Sequence, residues 1–358
     1  MDVATWVTRV DERLQSIVAD QSESLAHLGP DVAAFIATVQ SLTRGGKRFR
    51  AVFCALGYSC ASPELPESLV SVAAGLELFH AAALAHDDIM DKSDTRRGLP
   101  SAHRTFESSH HRQGWAGDAE HFGVSSALLL GDFLLAMSDA VISAGINDSP
   151  DRAAASHARH EFDRMRFDVT AGQYLDIVEE SAWPQVPQAD ALNRAAQVLT
   201  YKSAKYSIEA PLVIGASLAG ASPEIISGIR KFAVPLGNAF QLRDDVLGVF
   251  GDAAVTGKPV GDDIREGKRT VLIALALAEL NEDDNARLNS VLGNNEAADE
   301  EIAWAQETLK KSGALNRVEE RIQSEFDCAL RELAQLPITE IARADLQALA
   351  DRVVKRDA

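Results

Sequence analysis

Asp87, Asp88 and Asp91 close an apolar stretch in the segment HDDIMD, and Asp244 and Asp245 close another in RDDVLG. Asp87 and Asp91 share one face of a helix, where like charges at that spacing cost roughly 0.2–0.5 kcal/mol. A helix C-terminus, where the backbone dipole repels anions, is a poor place for them. One such cluster is an ordinary solvated helix end. Two clusters, with Asp94 adding charge to the first and each following a helix apolar enough to be buried, call for a function. Oxygen donors without His or Cys select a hard cation, and Mg²⁺ held by a few carboxylates is the usual partner of a diphosphate. Such an ion would relieve the repulsion and keep the carboxylates ionised. Gly248 stands four residues after Asp244, where the first cluster has Asp91, so fewer direct ligands are expected there.

Cations also concentrate in short segments. Residues 43–50 read TRGGKRFR, with Lys47, Arg48 and Arg50 after two glycines that permit close backbone approach. Arg96 and Arg97 follow the first acidic cluster, Lys202 and Lys205 flank Ser203, and Lys258 and Lys268 follow the second cluster. Each segment alone fits a solvated surface. Together they describe a site for more than one anionic group, one diphosphate on carboxylate-held metal and another on guanidinium forks. His80, two helical turns before Asp87 on nearly the same face, is either a core histidine or a donor to that second group.

Helices must position these residues. Val3, Trp6, Val7, Val10, Leu14, Ile17 and Val18 form one apolar stripe, which predicts a helix over 2–19. Similar patterns predict helices at 31–41, 47–60, 67–91, 122–144, 150–180, 188–219, 223–250, 269–280, 297–312, 314–335 and 338–355. No alternation long enough to demand a sheet occurs. Two polar connections, 92–121 and 251–268, are long enough to be functional lids or disordered. No linker or composition break divides residues 1–358, so one all-α domain is expected.

The 358 residues are 46% apolar and 25% charged, enough for a large core, which excludes wholesale disorder and a collagen-like fibre. A net charge of −18 argues against a nucleic-acid partner, which needs a basic surface. The start MDVATWVTRVDERLQ has no basic and apolar leader, so a cytoplasmic location is expected. The apolar runs 122–137 and 271–280 fall short of the ~20 residues of a spanning helix, so none is expected. Cys54, Cys60 and Cys328, odd in number and not spaced as metal ligands, read as reduced thiols.

In this order, GGKRFR (45–50), HDDIMDKSDTRRGLPSAHR (86–104), LLLGDFLLA (128–136), GQYLDI (172–177), YKSAKY (201–206), FQLRDDVLGVFGD (240–252) and GKPVGDDIREGKRT (257–270) resemble the trans-isoprenyl diphosphate synthases, the polyprenyl synthetase family. Within it the geranylgeranyl diphosphate synthases share Gly248. The resemblance implies an all-α isoprenoid synthase-type bundle around a deep central cavity, as a homodimer. It implies that an allylic diphosphate ionises with Mg²⁺, or Mn²⁺ in its place, and condenses with isopentenyl diphosphate. By motif, Asp87, Asp91 and Asp244 are the implied metal ligands, supported by Asp88 and Asp245. Arg96, Lys202 and Lys258 are implied for the allylic diphosphate, with Lys268 a further binding candidate. Lys47, Arg50, His80 and Arg97 are implied for isopentenyl diphosphate, and Ser203 and Gln241 for the reacting carbons. Ser203 replaces the usual threonine but keeps its hydroxyl.

Three other readings compete. A class I terpene cyclase shares the aspartate logic but needs one diphosphate site, whereas Lys47, Arg50 and Arg97 argue for two. A non-catalytic synthase-like subunit is expected to have lost ligands, and both aspartate motifs are present. A longer-chain synthase differs only in tail space. Ala82 and Ala83 replace the bulky residue that stops growth at farnesyl, and Phe79, deeper on the same helix, is expected to floor the cavity at geranylgeranyl length.

Overall fold

The computed structural model describes residues 1–251 and 261–354. The described residues are all-α apart from one hairpin with two residues in each strand. It divides into two compact units, one of Met1–His160 with Pro211–Ala221, the other of Glu161–Ala210 with the described residues from Ser222 onwards.

In the first unit, α1 (Val3–Leu25) is capped by the Asp2 carboxylate, which accepts the Ala4 N–H at 3.1 Å. It buries Trp6, Val10, Leu14, Ile17 and Val18, as the stripe predicts, and runs past residue 19 because no Gly or Pro interrupts it before Gly29. Next come α2 (Pro30–Thr43), α3 (Phe49–Ser59), α4 (Glu67–Met90), the hairpin β1 (Thr95–Arg96) and β2 (Leu99–Pro100), α5 (Ala102–Gln113) and α6 (Ala119–Asn147). The core is α4 against α6. Ser138 Oγ donates to the Gly75 carbonyl at 2.7 Å, and a Cβ at Gly75 would lie 2.3 Å from Ile142, so only glycine permits this approach. Residues 211–221 reach the same unit through Gly215, where a Cβ would lie 1.9 Å from the Cys54 carbonyl oxygen. Cys54 and Cys60 are buried, which pushes both thiols up to about 12, and no disulfide forms.

The second unit holds most of α7 (Arg152–Ala182), then α8 (Gln188–Val198), a π-helix (Leu199–Glu209) and the start of α9 (Ala210–Leu218). After α10 (Pro223–Phe250) follow α11 (Asp262–Glu266), α12 (Val271–Glu279), α13 (Glu282–Val291), α14 (Asp299–Lys311), α15 (Ala314–Gln335) and α16 (Glu340–Val354). Here α10 packs on α15 and on the π-helix. An Arg243 fork on Glu319, at 2.6 and 2.7 Å, joins α10 to α15.

Four expectations need correction. The connection 92–121 carries the hairpin and α5: its buried residues Ala102, His103, Phe106 and His110 form a helical stripe in which histidines stand where aliphatics usually do. The helix expected over 188–219 changes register into the π-helix, a rearrangement that concentrates at functional sites. Helix α13 was absent from the periodicity because only Leu288 and Val291 are buried; Asn281, accepting the Asp284 N–H at 2.9 Å, starts it instead. Finally, α4 and α6 are long and apolar enough to cross a membrane, because the helices extend beyond the uninterrupted runs. The apolar window of α4 is 72% buried, as in a core helix, and that of α6 is 44% buried.

Candidate active site

In the first unit, the C-terminus of α4 sorts its three aspartates into different tasks. Asp88 is fully buried and accepts Arg96 Nε at 2.8 Å, with Nη2 also bonded to it. A buried carboxylate so paired anchors the arginine, since removing either partner strands a charge. Asp87 and Asp91 are part-exposed, and the Asp91 N–H donates to the Asp87 carbonyl at 2.8 Å as α4 ends. Arg96 Nη2 also lies 3.6 Å from Asp87 Oδ2. Two accessible oxygen donors at one helix end suit a hard divalent cation. Among the described residues no group of three His, Cys, Asp or Glu side chains forms a metal site by itself, so an ion here would complete its shell with water and substrate oxygens.

Cations of the same unit gather beside this helix. Among the described residues, the non-glycine positions of positive φ are Arg48, Lys92 and Arg97, all in the two motifs that the sequence singles out. Left-handed backbone costs such residues roughly 1–2 kcal/mol, so their surroundings hold them there. Arg97 Nη1 donates to the Arg44 carbonyl at 3.3 Å, and its guanidinium covers Gly46, where a Cβ would lie 3.1 Å from Nη2. Burial first, then Arg50, Arg97, Arg96 and Arg48, push His80 well below the ordinary imidazole range. His80 is therefore a neutral ring among arginines. Lys47 is exposed and Arg50 part-exposed, whereas Arg48, in the middle of GGKRFR, turns inward and is 5% exposed. Lower on α4, Phe79 and Ala82 are buried and Ala83 is part-exposed.

In the second unit, Asp244 is exposed and Asp245 buried. Gln241 Nε2 donates to Asp245 Oδ1 at 2.8 Å, yet burial dominates and pushes Asp245 up to about 8. A Cβ at Gly248 would lie 2.0 Å from Asp263 Oδ2, so the carboxylate of Asp263, on α11, occupies the place where Asp91 has its counterpart in the first motif. Sequence reasoning missed Asp263; its one signal was the acidic pair in VGDDIREGK. Lys268 Nζ is 2.5 Å from Glu266 Oε2 and 3.8 Å from Asp263 Oδ1. Lys258 lies outside the described residues.

The π-helix sets the remaining cations against α7. Lys202 Nζ donates to Asp176 Oδ2 at 2.5 Å, and Lys205 Nζ to Asp168 Oδ2 at 2.8 Å. Gly172 makes this possible: a Cβ there would lie 2.4 Å from the Lys202 nitrogen. Ser203 is part-exposed beside them. The structure thus brings His80, Arg50, Arg96 and Arg97 together in one unit, and Gln241, Asp244 and Asp245 together in the other.

A model of the polyprenyl synthetase family matches residues 33–309. The chain belongs to the polyprenyl synthetase family. It is a trans-isoprenyl diphosphate synthase by that membership. A structure of geranylgeranyl pyrophosphate synthase from Corynebacterium glutamicum, complexed with isoprenyl diphosphate and magnesium, superposes with a TM-score of 0.93 at 38% identity over 100% of each chain. A short chain isoprenyl diphosphate synthase of Methanocaldococcus jannaschii is 32% identical over 85% of this chain and 81% of its own length. A geranylgeranyl diphosphate synthase of Mycobacterium tuberculosis is 31% identical over 87% of this chain and 80% of its own. All seven sequence segments that resemble the family lie inside the matched region.

Proposed function

We propose that this polyprenyl synthetase joins isopentenyl diphosphate head to tail to allylic diphosphates (dimethylallyl, geranyl and farnesyl) and releases mainly geranylgeranyl diphosphate. The carrying observation is the neutral His80 among four arginines on the helix that ends in Asp87 and Asp91. It is an anion site additional to the metal carboxylates, which two diphosphate substrates require and a cyclase does not.

In this reading Asp87, Asp91 and Asp244 hold Mg²⁺, with Mn²⁺ able to replace it, and Asp88 and Asp245 support them. The ion supplies charge neutralisation for the departing diphosphate. Arg96, Lys202, Lys258 and Lys268 take the allylic diphosphate; Asp88 and Asp176 keep Arg96 and Lys202 aimed before it arrives. Lys47, Arg50 and Arg97 take isopentenyl diphosphate, and His80 donates an N–H without adding charge to the crowded guanidiniums. These cations act where charge develops, the largest contribution available to such a reaction. The allylic C–O bond breaks, the isopentenyl double bond attacks the resulting cation, and the departing diphosphate accepts the proton then lost. Ser203 and Gln241 face the reacting carbons, and exclusion of water protects the cation from quenching. Phe79, Ala82 and Ala83 set the tail length.

We further propose that residues 1–358 act as one domain, since the motifs occur in both units, and that the enzyme is a cytoplasmic homodimer. Support for pairing is apolar surface on α6, where Leu128 is 50% and Leu129 61% exposed, and on α7, where Phe167 is 73% and Tyr174 67% exposed. The test is mass analysis of products from labelled isopentenyl diphosphate with each allylic primer and Mg²⁺. Twenty-carbon diphosphate as the main product supports the proposal; cyclised hydrocarbon, or no product from any primer, overturns it.

A further inference from the structure

Lys47 and Arg50 can grip a diphosphate only if their loop is itself held. Helix α3 begins without a capping side chain of its own. Glu77, buried in the middle of α4, instead accepts the Ala51 N–H at 3.1 Å, a donor that a capping Ser or Asp at position 48 would take. Arg48 stands in that cap position with φ 51 and reaches three elements at once. Its Nε donates to Asp11 Oδ1 at 2.7 Å, its Nη2 to the Thr43 carbonyl at 2.6 Å, and its Nη1 lies 3.6 Å from Glu77 Oε2. One planar fork thus fixes α1, the end of α2 and the core helix α4 around the loop. Asp11 lies on α1, which precedes the residues matched by the family model.

We propose that Asp11, acting through Arg48, is a positioning residue for isopentenyl diphosphate. It fixes the guanidinium plane that keeps the loop left-handed at position 48, and so directs Lys47 and Arg50 toward the anion site of His80 and Arg97. This rests on the function proposed above. Docking of α1 is separable from this role, because Trp6 Nε1 donates independently to the Ala51 carbonyl at 3.0 Å.

Steady-state kinetics on the full chain, varying each substrate in turn, test the inference together with thermal unfolding. Asp11→Ala is expected to raise KM for isopentenyl diphosphate by about tenfold, the loss of one charge-assisted hydrogen bond, with KM for the allylic primer and Tm unchanged. Asp11→Asn, which keeps an acceptor for Arg48 Nε, is expected to recover most of the affinity. Arg48→Lys, which keeps the charge without the fork, is expected to raise KM for isopentenyl diphosphate as Asp11→Ala does and also to lower Tm, because the contacts to Thr43 and Glu77 go with the fork. Arg9→Ala, which breaks a surface pair between α1 and Glu67 at the start of α4, should leave both KM values alone. An Asp11→Ala variant that raises both KM values equally, or that lowers Tm with KM for isopentenyl diphosphate unchanged, overturns the inference. A wild-type chain that elongates no primer overturns the proposed function itself.

Discussion

Product length offers a sharp test, because Phe79 has two readings that differ in more than one observable. At about 1.5 Å of rise per residue, its position eight residues before Asp87 places it about 12 Å deeper along α4. Phe79 is 5% exposed. If neighbouring side chains surround the ring completely, Phe79→Ala should cost roughly 3–5 kcal/mol. In a unit of this size each kcal/mol lowers Tm by about 2–4 °C, so the full loss is roughly 6–20 °C. If the ring instead floors the space for the growing tail, part of its surroundings is open; the loss falls at or below the low end, and products longer than twenty carbons appear. Ala83→Phe provides the converse: position 83 is part-exposed and four residues before Asp87, so an added ring there should shorten the product toward farnesyl. Ala82 is fully buried, and a phenylalanine there also overpacks its surroundings by about 1–3 kcal/mol, which makes Ala83 the cleaner site. The assay pairs mass analysis of the products with calorimetric unfolding. Unchanged chain length in both variants, with a Tm loss at the upper end for Phe79→Ala, would refute the floor.

The neighbouring aspartates should separate in kind: Asp87→Asn is expected to abolish most turnover with Tm intact. Asp88→Asn should lower stability by about 3–5 kcal/mol by leaving Arg96 without its buried partner, and equal Tm losses would contradict this division. Chelation should stop turnover and Mg²⁺ or Mn²⁺ restore it; product formed in excess chelator excludes the metal role. Lys47→Ala or Arg97→Ala should raise KM for isopentenyl diphosphate more than for the primer, and Lys202→Ala should do the reverse or depress kcat; uniform effects would show the residues misassigned. His80 binds its proton less readily folded than unfolded, so its contribution to stability is complete above the ordinary imidazole pKa of 6.5 and is lost as pH falls below it. The Tm of the wild type should therefore fall more steeply from pH 7.5 to 5.5 than that of His80→Gln, and parallel curves would place His80 in ordinary surroundings.

Residue type and spacing alone determined that two carboxylate clusters end apolar helices, that cationic segments accompany them, and that Asp87, His80 and Phe79 follow one another along one helix. Those are local properties, set by the helical repeat and by the chemistry of oxygen donors and guanidiniums. What each charge does was decided by partners from other elements. Within GGKRFR the sequence offers three equivalent cations, yet Arg48 turns inward because Asp11 and Glu77 wait for it, while Lys47 and Arg50 do not share its burial. Asp88 and Asp245 occupy matching places in their motifs, but one is buried against an arginine, the other against an amide in surroundings that push its carboxyl up to about 8. The carboxylate that position 248 lacks arrives from Asp263, and α5 stayed hidden because its core face uses histidines. Periodicity specifies which face of a helix is apolar; it carries no information about which distant side chain compensates a buried charge, and that compensation sets both protonation and direction.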